Sequence, residues 1–350
     1  MKNNRTVNVT QTQEFEEIID VRTPAEFAED HIPGAVNFPV LSNEERIVIG
    51  TLYKQESPFA AKKLGAALIA RNIANHLETE FQGRPVNWKP LVYCWRGGNR
   101  SGAMTHILNQ VGWRAKVLEG GYKAYRRHVV GALGPLCDTF NYLVVSGSTG
   151  TGKSLLLQVL KNQGLQILDL EGLANHKGSV LGGLPHIDQP SQKMFETLLL
   201  QQLMQMNPQK PIFIEAESRK IGQLQVPDEL LKKIRTSECI EIEAPIDVRV
   251  HYLMGDYDYF LKDAATLKNK IEFLKGIQSR EIISYWNDLI DQSNWQVLIP
   301  DILEKHYDPL YQRAHQRSSN STRRYTKYQI EEISENAFKA LVVGFIQNIQ

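Results

Sequence analysis

An octapeptide with the spacing of a phosphate-binding loop begins at residue 147. Its members are Gly147, Ser148, Thr149, Gly150, Thr151, Gly152, Lys153 and Ser154, and they fit the pattern G-x-x-x-x-G-K-[ST]. Glycines let backbone N–H groups curl around phosphate oxygens, while Lys153 neutralises a phosphate and Ser154 is a candidate magnesium ligand. The stretch NYLVVSG before the loop and LLLQVLKN after it read as the required strand and helix. The segment therefore predicts a phosphate or diphosphate site.

A second anion-binding loop is indicated at CWRGGNRS, directly after the apolar run PLVY. We expect Cys94, Arg96 and Arg100 to be catalytic here. The remaining members of the loop are Trp95, Gly97, Gly98, Asn99 and Ser101. A thiol that faces backbone N–H groups and the start of a helix has a lowered pKa and becomes a thiolate. A buried structural cysteine is the alternative, although glycine and arginine around a core cysteine serve no packing purpose.

Composition and charge are those of an ordinary globular protein. The 350 residues favour two domains, and 42% hydrophobic and 23% charged residues exclude a disordered or fibrous chain. A formal net charge of +1 restricts any nucleic-acid surface to a local patch. Three widely spaced cysteines fit reduced thiols better than a disulfide frame or a zinc site. With no signal-peptide pattern and no run long enough to span a bilayer, we expect a cytoplasmic protein.

Strand and helix patterns alternate along the chain. Apolar runs in EEIID, PLVYC, NYLVVSG and PIFIEAES indicate buried strands, residues 59–78 have helical spacing, and Pro24 suits the first turn of a helix. Glycine and proline gather in GALGPLCDTF, residues 131–140, so we place the domain boundary there. The prediction is an α/β protein with one domain over 1–133 and a P-loop domain over 134–350, the latter with a helical, basic C-terminal region.

The first domain resembles the rhodanese family over roughly residues 10–130. The resemblance lies in IDVRTPAEFAEDHIPGAVNFP, CWRGGNRSGAM and EGGYKAY, and its first signature is matched by Asp20, Arg22, Glu26, His31, Pro33 and Gly34. One departure concerns Arg100, which lies six positions after Cys94, whereas many single-domain rhodaneses carry arginine five positions after the cysteine. The spacing C-x5-R is that of rhodanese-like phosphatases, so a tetrahedral oxyanion is expected to fit the loop.

The whole chain closely resembles the tRNA 2-selenouridine synthase family. Two further segments carry the resemblance, GSVLGGLPHIDQPSQKMFE at 178–196 and IEAESRKIG at 214–222. It implies a transferase that replaces the sulfur of 2-thiouridine at the tRNA wobble position with selenium from selenophosphate, and that attaches geranyl to that sulfur. Cys94 would carry selenium as S-selanylcysteine, and the P-loop would cradle the diphosphate of geranyl diphosphate. Both compounds are co-substrates, no tightly bound cofactor is expected, and a selenophosphate-producing enzyme is a candidate partner.

Acidic and polar residues around PIFIEAES are candidate partners of the P-loop. Glu215 or Glu217 could hold a metal-bound water, and a strand that merely ends in surface acids is the alternative. Three further candidates are Arg219, Gln189 and Ser191. The segment RVHYLMGDYDYF, residues 249–260, is interpreted either as a lid over the P-loop or as an ordinary amphipathic helix.

A basic segment with interleaved tyrosines, residues 305–328, is the candidate surface for tRNA. Its tRNA-binding candidates are Arg313, Arg317, Arg323, Arg324 and Lys327. Such cations contact phosphates, and tyrosine stacks on unpaired bases. A solvated charged face is the alternative.

Two other classes of function remain open at the level of sequence. One is an ATP-dependent kinase or NTPase with a regulatory rhodanese domain, which predicts phosphoryl transfer that does not depend on Cys94. The other is a sulfurtransferase or phosphatase acting on small molecules without tRNA. Neither explains as well why two anion-binding loops share one chain.

Overall fold

The α/β fold class is confirmed by the structure, a computed structural model that describes residues 6–318 and 324–349, except the side chains of 314–318 and 345–349. The chain forms two compact units, Met1–Leu133 with Pro190–Gln201 and Gly134–Gln189 with Gln202–Gln350. Each unit contains one five-stranded parallel sheet. Within the described ranges, no helix is long and apolar enough to cross a membrane.

The first unit is built on a sheet whose strand order is β1-β5-β4-β2-β3. Its strands are β1 (Thr6–Val7), β2 (Glu17–Asp20), β3 (Ala35–Asn37), β4 (Pro90–Tyr93) and β5 (Lys116–Leu118). Its helices are α1 (Pro24–Glu29), α2 (Asn43–Gln55), α3 (Pro58–Thr79), α4 (Asn99–Val111) and α5 (Gly121–Asp138), with a 3-10 helix at Val9–Glu14. All four residues of the central strand β4 are buried, which explains its continuous apolar run.

Local capping signals fix where the first helices begin. Thr23 accepts from the backbone N–H of Glu26, whose carboxylate accepts from the N–H of Thr23, and Pro24 occupies the first position of α1. Ser42 and Glu45 form the same reciprocal box at the start of α2. These contacts satisfy backbone donors that a helix N-terminus otherwise leaves unpaired.

The second unit is built on a sheet of order β12-β11-β6-β8-β7, beside a small antiparallel hairpin of β9 and β10. Its strands are β6 (Tyr142–Ser146), β7 (Gln166–Leu168), β8 (Ile212–Glu215), β9 (Lys220–Ile221), β10 (Leu224–Gln225), β11 (Glu238–Glu243) and β12 (Tyr325–Gln329). Its core packs the sheet against α6 (Lys153–Asn162) and the C-terminal helix α16 (Glu335–Ile349), through residues such as Val145, Leu156 and Phe338.

The remaining helices lie in the second unit, except that residues 192–201 of α8 belong to the first. These α-helices are α7 (Leu170–Leu173), α8 (Gln192–Met204), α9 (Asp228–Thr236), α10 (Ile246–Asp256), α11 (Asp258–Lys262), α12 (Ala264–Glu272), α13 (Arg280–Asp291), α14 (Trp295–Ile302) and α15 (Asp308–Ser318). A 3-10 helix at Phe273–Gly276 and a π-helix at Leu303–Tyr307 interrupt them. Helices α11 to α14 share a core of their own around the fully buried Trp286.

The glycine- and proline-rich segment 131–140 is mostly helical, contrary to the linker that its composition indicates. Helix α5 continues to Asp138 with Pro135 inside it, and the division between the two units falls between Leu133 and Gly134. Val129, Leu133 and Cys137 are four residues apart and all buried, so they form one apolar stripe. Burial of that stripe outweighs the low helix propensity of glycine and proline.

A fully buried ion pair braces the first sheet. Arg22 and Asp20 are both 0% exposed, and the Arg22 guanidinium donates to both Asp20 carboxylate oxygens at 2.6–3.1 Å. It also donates to the backbone carbonyl of Asp30 at 2.6 Å and lies 4.0 Å from the centroid of the Tyr122 ring. The Tyr122 hydroxyl in turn donates to the Asp30 carboxylate at 2.6 Å. This network ties β2 to the helix that begins at Gly121.

Substitution Arg22→Met is expected to lower the free energy of unfolding of the first unit by about 3–5 kcal/mol, because it leaves the Asp20 charge buried without a partner. Hydrogen exchange of peptides from β2 and β4 in the full chain, measured against urea, would give the loss. The control is Lys193→Ala in the same unit, since Lys193 and its partner Glu29 are 37% and 47% exposed, and its cost should stay below about 1 kcal/mol. Equal costs for the two variants would contradict the assignment.

Candidate active sites

Cys94 lies at the carboxyl end of β4, in a loop that leads directly into helix α4. Its side chain is buried, and its Sγ is 3.2 Å from the Ser101 Oγ. Burial raises the pKa of the Cys94 thiol, but hydrogen bonds from the Ser101 hydroxyl and the Ser101 and Arg96 N–H groups, with the charge of Arg100, outweigh it and lower the pKa. The thiolate is therefore favoured, as expected of a nucleophile.

Helix α5 begins at a glycine that packs against the Cys94 loop. Gly121 has φ +56°, and a side chain there would collide with the Cys94 carbonyl oxygen and the Gly97 nitrogen. The backbone N–H of Tyr122 donates to the Cys94 carbonyl at 2.8 Å, and that of Lys123 donates to the Trp95 carbonyl at 3.0 Å. The segment EGGYKAY thus holds the loop in shape.

The loop residues predicted from sequence take different positions around the thiol. Asn99 begins α4, Gly98 is its N-cap and Arg96 is exposed. The Trp95 ring lies 5.4 Å from that of Tyr122, and Gly97 takes a positive φ of +65°. The structure brings Ser101 to the thiol, whereas it places the Arg96 side chain towards solvent.

Arg100 is held by a carboxylate from another part of the unit. Its guanidinium donates to Glu26 at 2.7 and 3.4 Å, and Glu26 is the residue that also caps helix α1. Burial raises the pKa of Glu26, but the hydrogen bond and charge of Arg100 outweigh it and lower the pKa. Arg100, predicted as a catalytic residue of the Cys94 loop, acts on the thiol through its charge, while its N–H donors are bound to Glu26.

The P-loop connects the end of β6 to helix α6, which begins at Lys153. The Lys153 ammonium donates to the carbonyls of Gly147 at 2.9 Å and Ser148 at 3.4 Å, so it lies against the backbone of the P-loop. Burial lowers its pKa, although the carboxylates of Glu171 and Glu217 oppose that effect. Partial desolvation strengthens the attraction between this ammonium and a bound anion.

Carboxyl groups gather on one side of the P-loop. The Ser154 hydroxyl donates to Glu171 at 3.0 Å, and the backbone N–H of Glu171 donates to the buried Glu215 at 2.8 Å. Burial and the nearby charges of Asp169, Glu217 and Glu171 raise the pKa of Glu215. Burial and the charge of Glu171 raise the pKa of Glu217 to about 8. Of the two glutamates singled out in the sequence, Glu217 lines the cleft and Glu215 anchors the backbone beneath it.

Three other residues predicted as P-loop partners do not line the cleft that opens from the P-loop. Arg219 is exposed and paired with Asp228. The Gln189 amide bonds the backbone of Ala174, Ile221 and Gln223, which is a structural role. Ser191 belongs to the first unit, where its hydroxyl donates to the Glu29 carbonyl.

The P-loop opens into a cleft of about 560 Å³. Its walls are the P-loop, the residues after β7, the loop from Asn175 to Val180, and the inner face of α10. Gly178 in that loop has φ +69°, and a side chain there would collide with Glu171. The segment 249–260 is helical over most of its length and contributes Tyr252, Leu253, Asp256 and Tyr257 to the wall.

An apolar pocket adjoins the cleft. Its walls come mainly from α10, α11, α12 and α14 and include Phe260, Leu267, Trp295, Leu298 and Ile302. Five residues line both the pocket and the cleft, namely Thr149, Ser179, Leu253, Tyr257 and Tyr307. The P-loop cleft and this hydrocarbon surface therefore adjoin and share part of their walls.

Several residues of this site were missed by sequence reasoning. Arg249 is buried, donates to the P-loop carbonyl of Thr149 at 3.1 Å and makes two 2.8 Å bonds to Asp308. Glu171 holds the Ser154 hydroxyl. The signal for Glu171 was its position in DLEG directly after the apolar run QIL, because parallel strands bring their carboxyl ends to one edge. Arg249 carries no comparable local signal.

The basic segment is partly engaged in ion pairs. Arg313 is exposed on α15, Arg324 pairs with Glu238 at 3.2 Å, and the Lys327 ammonium lies 2.6 Å from Glu243 and 3.4 Å from Glu241. Arg323 and the side chain of Arg317 lie outside the described residues. Pairing across β11 and β12 thus occupies two of the cations predicted to bind tRNA.

No set of three or more His, Cys, Asp or Glu side chains in the described ranges is arranged to hold a metal ion. The Ser154 hydroxyl and the carboxylates beside it are oxygen donors of the kind that magnesium prefers. A magnesium ion here would take most of its ligands from substrate phosphates and water, as P-loop sites do.

The fold and these two sites define a protein in which a rhodanese-like domain is fused to a P-loop domain. A model of rhodanese-like domains matches residues 7–128, and a model described as the tRNA 2-selenouridine synthase AAA domain matches residues 140–280. The chain belongs to the tRNA 2-selenouridine synthase family.

Relatives with the description tRNA 2-selenouridine synthase match large parts of the chain. The protein of Nitrosomonas europaea is 37% identical over 69% of this chain, and the match spans 63% of that relative's length. The protein of Psychromonas ingrahamii is 31% identical over 84% of this chain and 87% of its own. That of Sulfurovum sp. is 30% identical over 95% of this chain and 93% of its own.

Substitution Ser101→Ala should shift the pH profile of Cys94 alkylation to higher pH. The variant loses the hydroxyl bond that helps to lower the thiol pKa, so the thiolate fraction and the alkylation rate at neutral pH both fall. Iodoacetamide labelling followed by peptide mass spectrometry gives the rate at Cys94 itself. Cys137 serves as the internal reference, since burial raises its pKa to about 12. An unchanged profile would show that Ser101 only packs against the sulfur.

Binding of inorganic diphosphate should weaken as the pH rises through about 8. Glu217 is neutral below that pKa and becomes an anion above it, where it repels the ligand. The repulsion of one added charge is expected to raise Kd roughly tenfold, or about 1.4 kcal/mol. Calorimetric titrations from acidic to alkaline pH would measure it. Glu217→Gln should remove the part of the pH dependence that Glu217 causes and leave the part caused by titration of diphosphate itself. Superimposable binding profiles for the wild type and this variant would refute the role of Glu217.

Proposed function

We propose that the protein replaces the sulfur of 2-thiouridine at the tRNA wobble position with selenium, by way of a geranylated intermediate, using geranyl diphosphate and selenophosphate. The observation that carries the proposal is that the P-loop cleft and the apolar pocket adjoin and share five lining residues. A ligand with a diphosphate head and a hydrocarbon tail would meet anion donors at one end and apolar side chains at the other.

The first half-reaction is alkylation of sulfur. The sulfur attacks carbon 1 of geranyl diphosphate, the carbon–oxygen bond breaks with its electron pair remaining on diphosphate, and the nucleoside loses its N3 proton. Lys153, the P-loop N–H groups and the N-terminus of α6 stabilise the departing diphosphate. These donors are already placed by β6 and α6, so little reorganisation is needed at the moment of reaction.

The apolar pocket favours an isoprenoid over a nucleotide as the P-loop ligand. A nucleoside triphosphate requires polar groups that read a base and a ribose, whereas the pocket beside the cleft is lined mainly by Leu, Ile, Phe and Trp side chains. The lining therefore supports a kinase or NTPase that uses ATP less well than it supports a geranyl transferase. ATP hydrolysis without tRNA would be evidence for the kinase or NTPase.

The second half-reaction is substitution by selenium at carbon 2 of the base. Alkylation turns the sulfur into a better leaving group. The selenium of selenophosphate, bound at the Cys94 loop, attacks carbon 2 and expels geranylthiolate, and water then cleaves the phosphorus–selenium bond, which releases phosphate and leaves selenium on the base. The Cys94 loop supports this role because its backbone donors and Ser101 stabilise negative charge at the sulfur. The same donors suit the tetrahedral oxyanion of selenophosphate, which a selenophosphate-producing partner enzyme would supply in the cytoplasm.

Magnesium and tRNA complete the proposed set of ligands. Ser154 would hold magnesium, whose charge would neutralise the diphosphate. The exposed cations Arg96, Lys123 and Arg313 are available for tRNA phosphates, which predicts binding that weakens with salt. Arg324 and Lys327 could exchange their exposed ion pairs for phosphate contacts, since such pairs contribute little stability.

The direct test is incubation with 2-thiouridine-containing tRNA, with geranyl diphosphate and selenophosphate added singly and together, followed by nucleoside mass spectrometry. A geranylated nucleoside with the first and a selenonucleoside with both are expected. The absence of any modified nucleoside, with ATP hydrolysed instead, would refute the proposal in favour of an NTPase.

Substitutions at the two sites should separate the two halves. Lys153→Ala is expected to lower geranylation at least about 100-fold, because a charged donor to the leaving group is lost, while leaving pre-geranylated tRNA convertible. Cys94→Ala should instead let geranylated tRNA accumulate. The matched control is Lys161→Ala, an exposed lysine of the same helix, which should affect neither half. Equal loss of both halves in both variants would contradict the division of labour.

A further inference from the structure

The junction between cleft and apolar pocket is where the reacting bond must lie, if the proposed function holds. The diphosphate is bound at the P-loop and the hydrocarbon in the pocket, so the bond from carbon 1 to the diphosphate oxygen spans the boundary. The residues that line both spaces mark this boundary, and two of them are aromatic, Tyr257 and Tyr307.

Carbon 1 of an allylic diphosphate acquires positive charge as its bond to oxygen breaks. This charge spreads over carbons 1 and 3, both of which belong to the first isoprene unit beside the diphosphate. The face of an aromatic ring attracts a cation within about 6 Å, and the attraction is strongest where water is excluded. A ring at the boundary is therefore positioned to act on the transition state more than on the neutral substrate.

The two tyrosines differ in what already occupies their rings. The ammonium of Lys177 lies 4.4 Å from the centroid of Tyr257, and Phe260 stacks on that ring at 5.9 Å with an interplanar angle of 12°. A second cation at Tyr257 would be repelled by Lys177. Within the described part of the chain, no lysine or arginine lies over the ring of Tyr307, whose aromatic neighbour is His306, edge-on at 4.8 Å and 79°.

The Tyr307 ring and its neighbour His306 are both uncharged at neutral pH. Burial lowers the pKa of His306, so its imidazole is neutral, and burial raises the pKa of Tyr307, so its phenol is neutral. The π-helix that contains both residues packs Leu303 and Tyr307 against α10 and α14. The ring is thus held by its helix at the edge of the apolar pocket.

We propose that the ring of Tyr307 is a catalytic group for geranyl transfer, stabilising the allylic positive charge that develops at carbons 1 and 3. The inference rests on the proposed function and names the residue that acts on the hydrocarbon side of the breaking bond. In the step, the carbon–oxygen electron pair leaves on diphosphate, a sulfur lone pair forms the new carbon–sulfur bond, and the N3 proton passes to water. The ring forms no bond and contributes only electrostatic stabilisation.

The test compares Tyr307→Phe and Tyr307→Leu in single-turnover geranylation of 2-thiouridine-containing tRNA, with geranyl diphosphate and with 2-fluorogeranyl diphosphate. Phenylalanine keeps the ring and should retain the maximal rate within about threefold. Leucine removes it and should lower the maximal rate about 3- to 30-fold, with little change in the half-saturating concentration. Fluorine withdraws electron density and disfavours positive charge at the allylic carbons, so loss of the ring should slow the fluorinated substrate less, and the rate ratio between the two substrates should be smaller for Tyr307→Leu than for the wild type.

Three results would overturn the proposal. One is an equal loss in the phenylalanine and leucine variants, which would assign the effect to the hydroxyl. Another is a leucine variant with an unchanged maximal rate and a raised half-saturating concentration, which would make the ring a packing surface. The third is an unchanged response to fluorine. Thermal unfolding checks that both variants fold, and Tyr257→Leu is the control, expected to retain the wild-type response to fluorine. If the wild type itself forms no geranylated nucleoside, the proposed function fails first.

Discussion

The turn from a buried parallel strand into the N-terminus of a helix is the geometry on which both sites depend. β4 ends at Tyr93 and leads through the Cys94 loop to α4, and β6 ends at Ser146 and leads through the P-loop to α6. Each turn points backbone N–H groups at one spot, where they stabilise a thiolate in one unit and would stabilise a diphosphate in the other. The rest of each unit holds this turn rigid, through Gly121 and the Arg22 network in the first and through Arg249 in the second.

Charge in the second unit is arranged in depth around the P-loop. Lys153 and Arg249 contact its carbonyls, while Glu171 and Glu217 line the cleft beside the loop and Glu215 is buried. Such a cleft accepts an anion at the loop and tolerates positive charge a few ångströms away. Arg249 also joins the loop to Asp308, directly after the π-helix that carries Tyr307, so the anion end and the apolar end of the site share one support.

Local sequence signals predicted the parts of these sites that a continuous segment encodes. The strand before the P-loop, the helix beginning at Lys153 and the buried strand before Cys94 all follow from motif and apolar runs. The choice between Glu215 and Glu217 could not be predicted, because β8 ends at Glu215 and the chain then turns, so strand alternation no longer sets the direction of side chains. The Cys94–Ser101 contact is local, whereas the Arg100–Glu26 pair joins residues 74 positions apart. The apolar pocket could not be predicted either, since its lining residues are spread from Thr149 to Tyr307 and most of them lie in helices where an apolar residue indicates only ordinary core.

The π-helix at Leu303–Tyr307 bears on how such a site can change in evolution. A π-turn is a helix with one residue inserted, and it rotates every side chain that follows relative to those before it. Deleting a single residue here would restore regular winding and turn Tyr307 and Asp308 away from their present neighbours together, without altering any other amino acid. Length variation in this turn would therefore move the Tyr307 ring and the Asp308 partner of Arg249 together, which a single substitution there would not do.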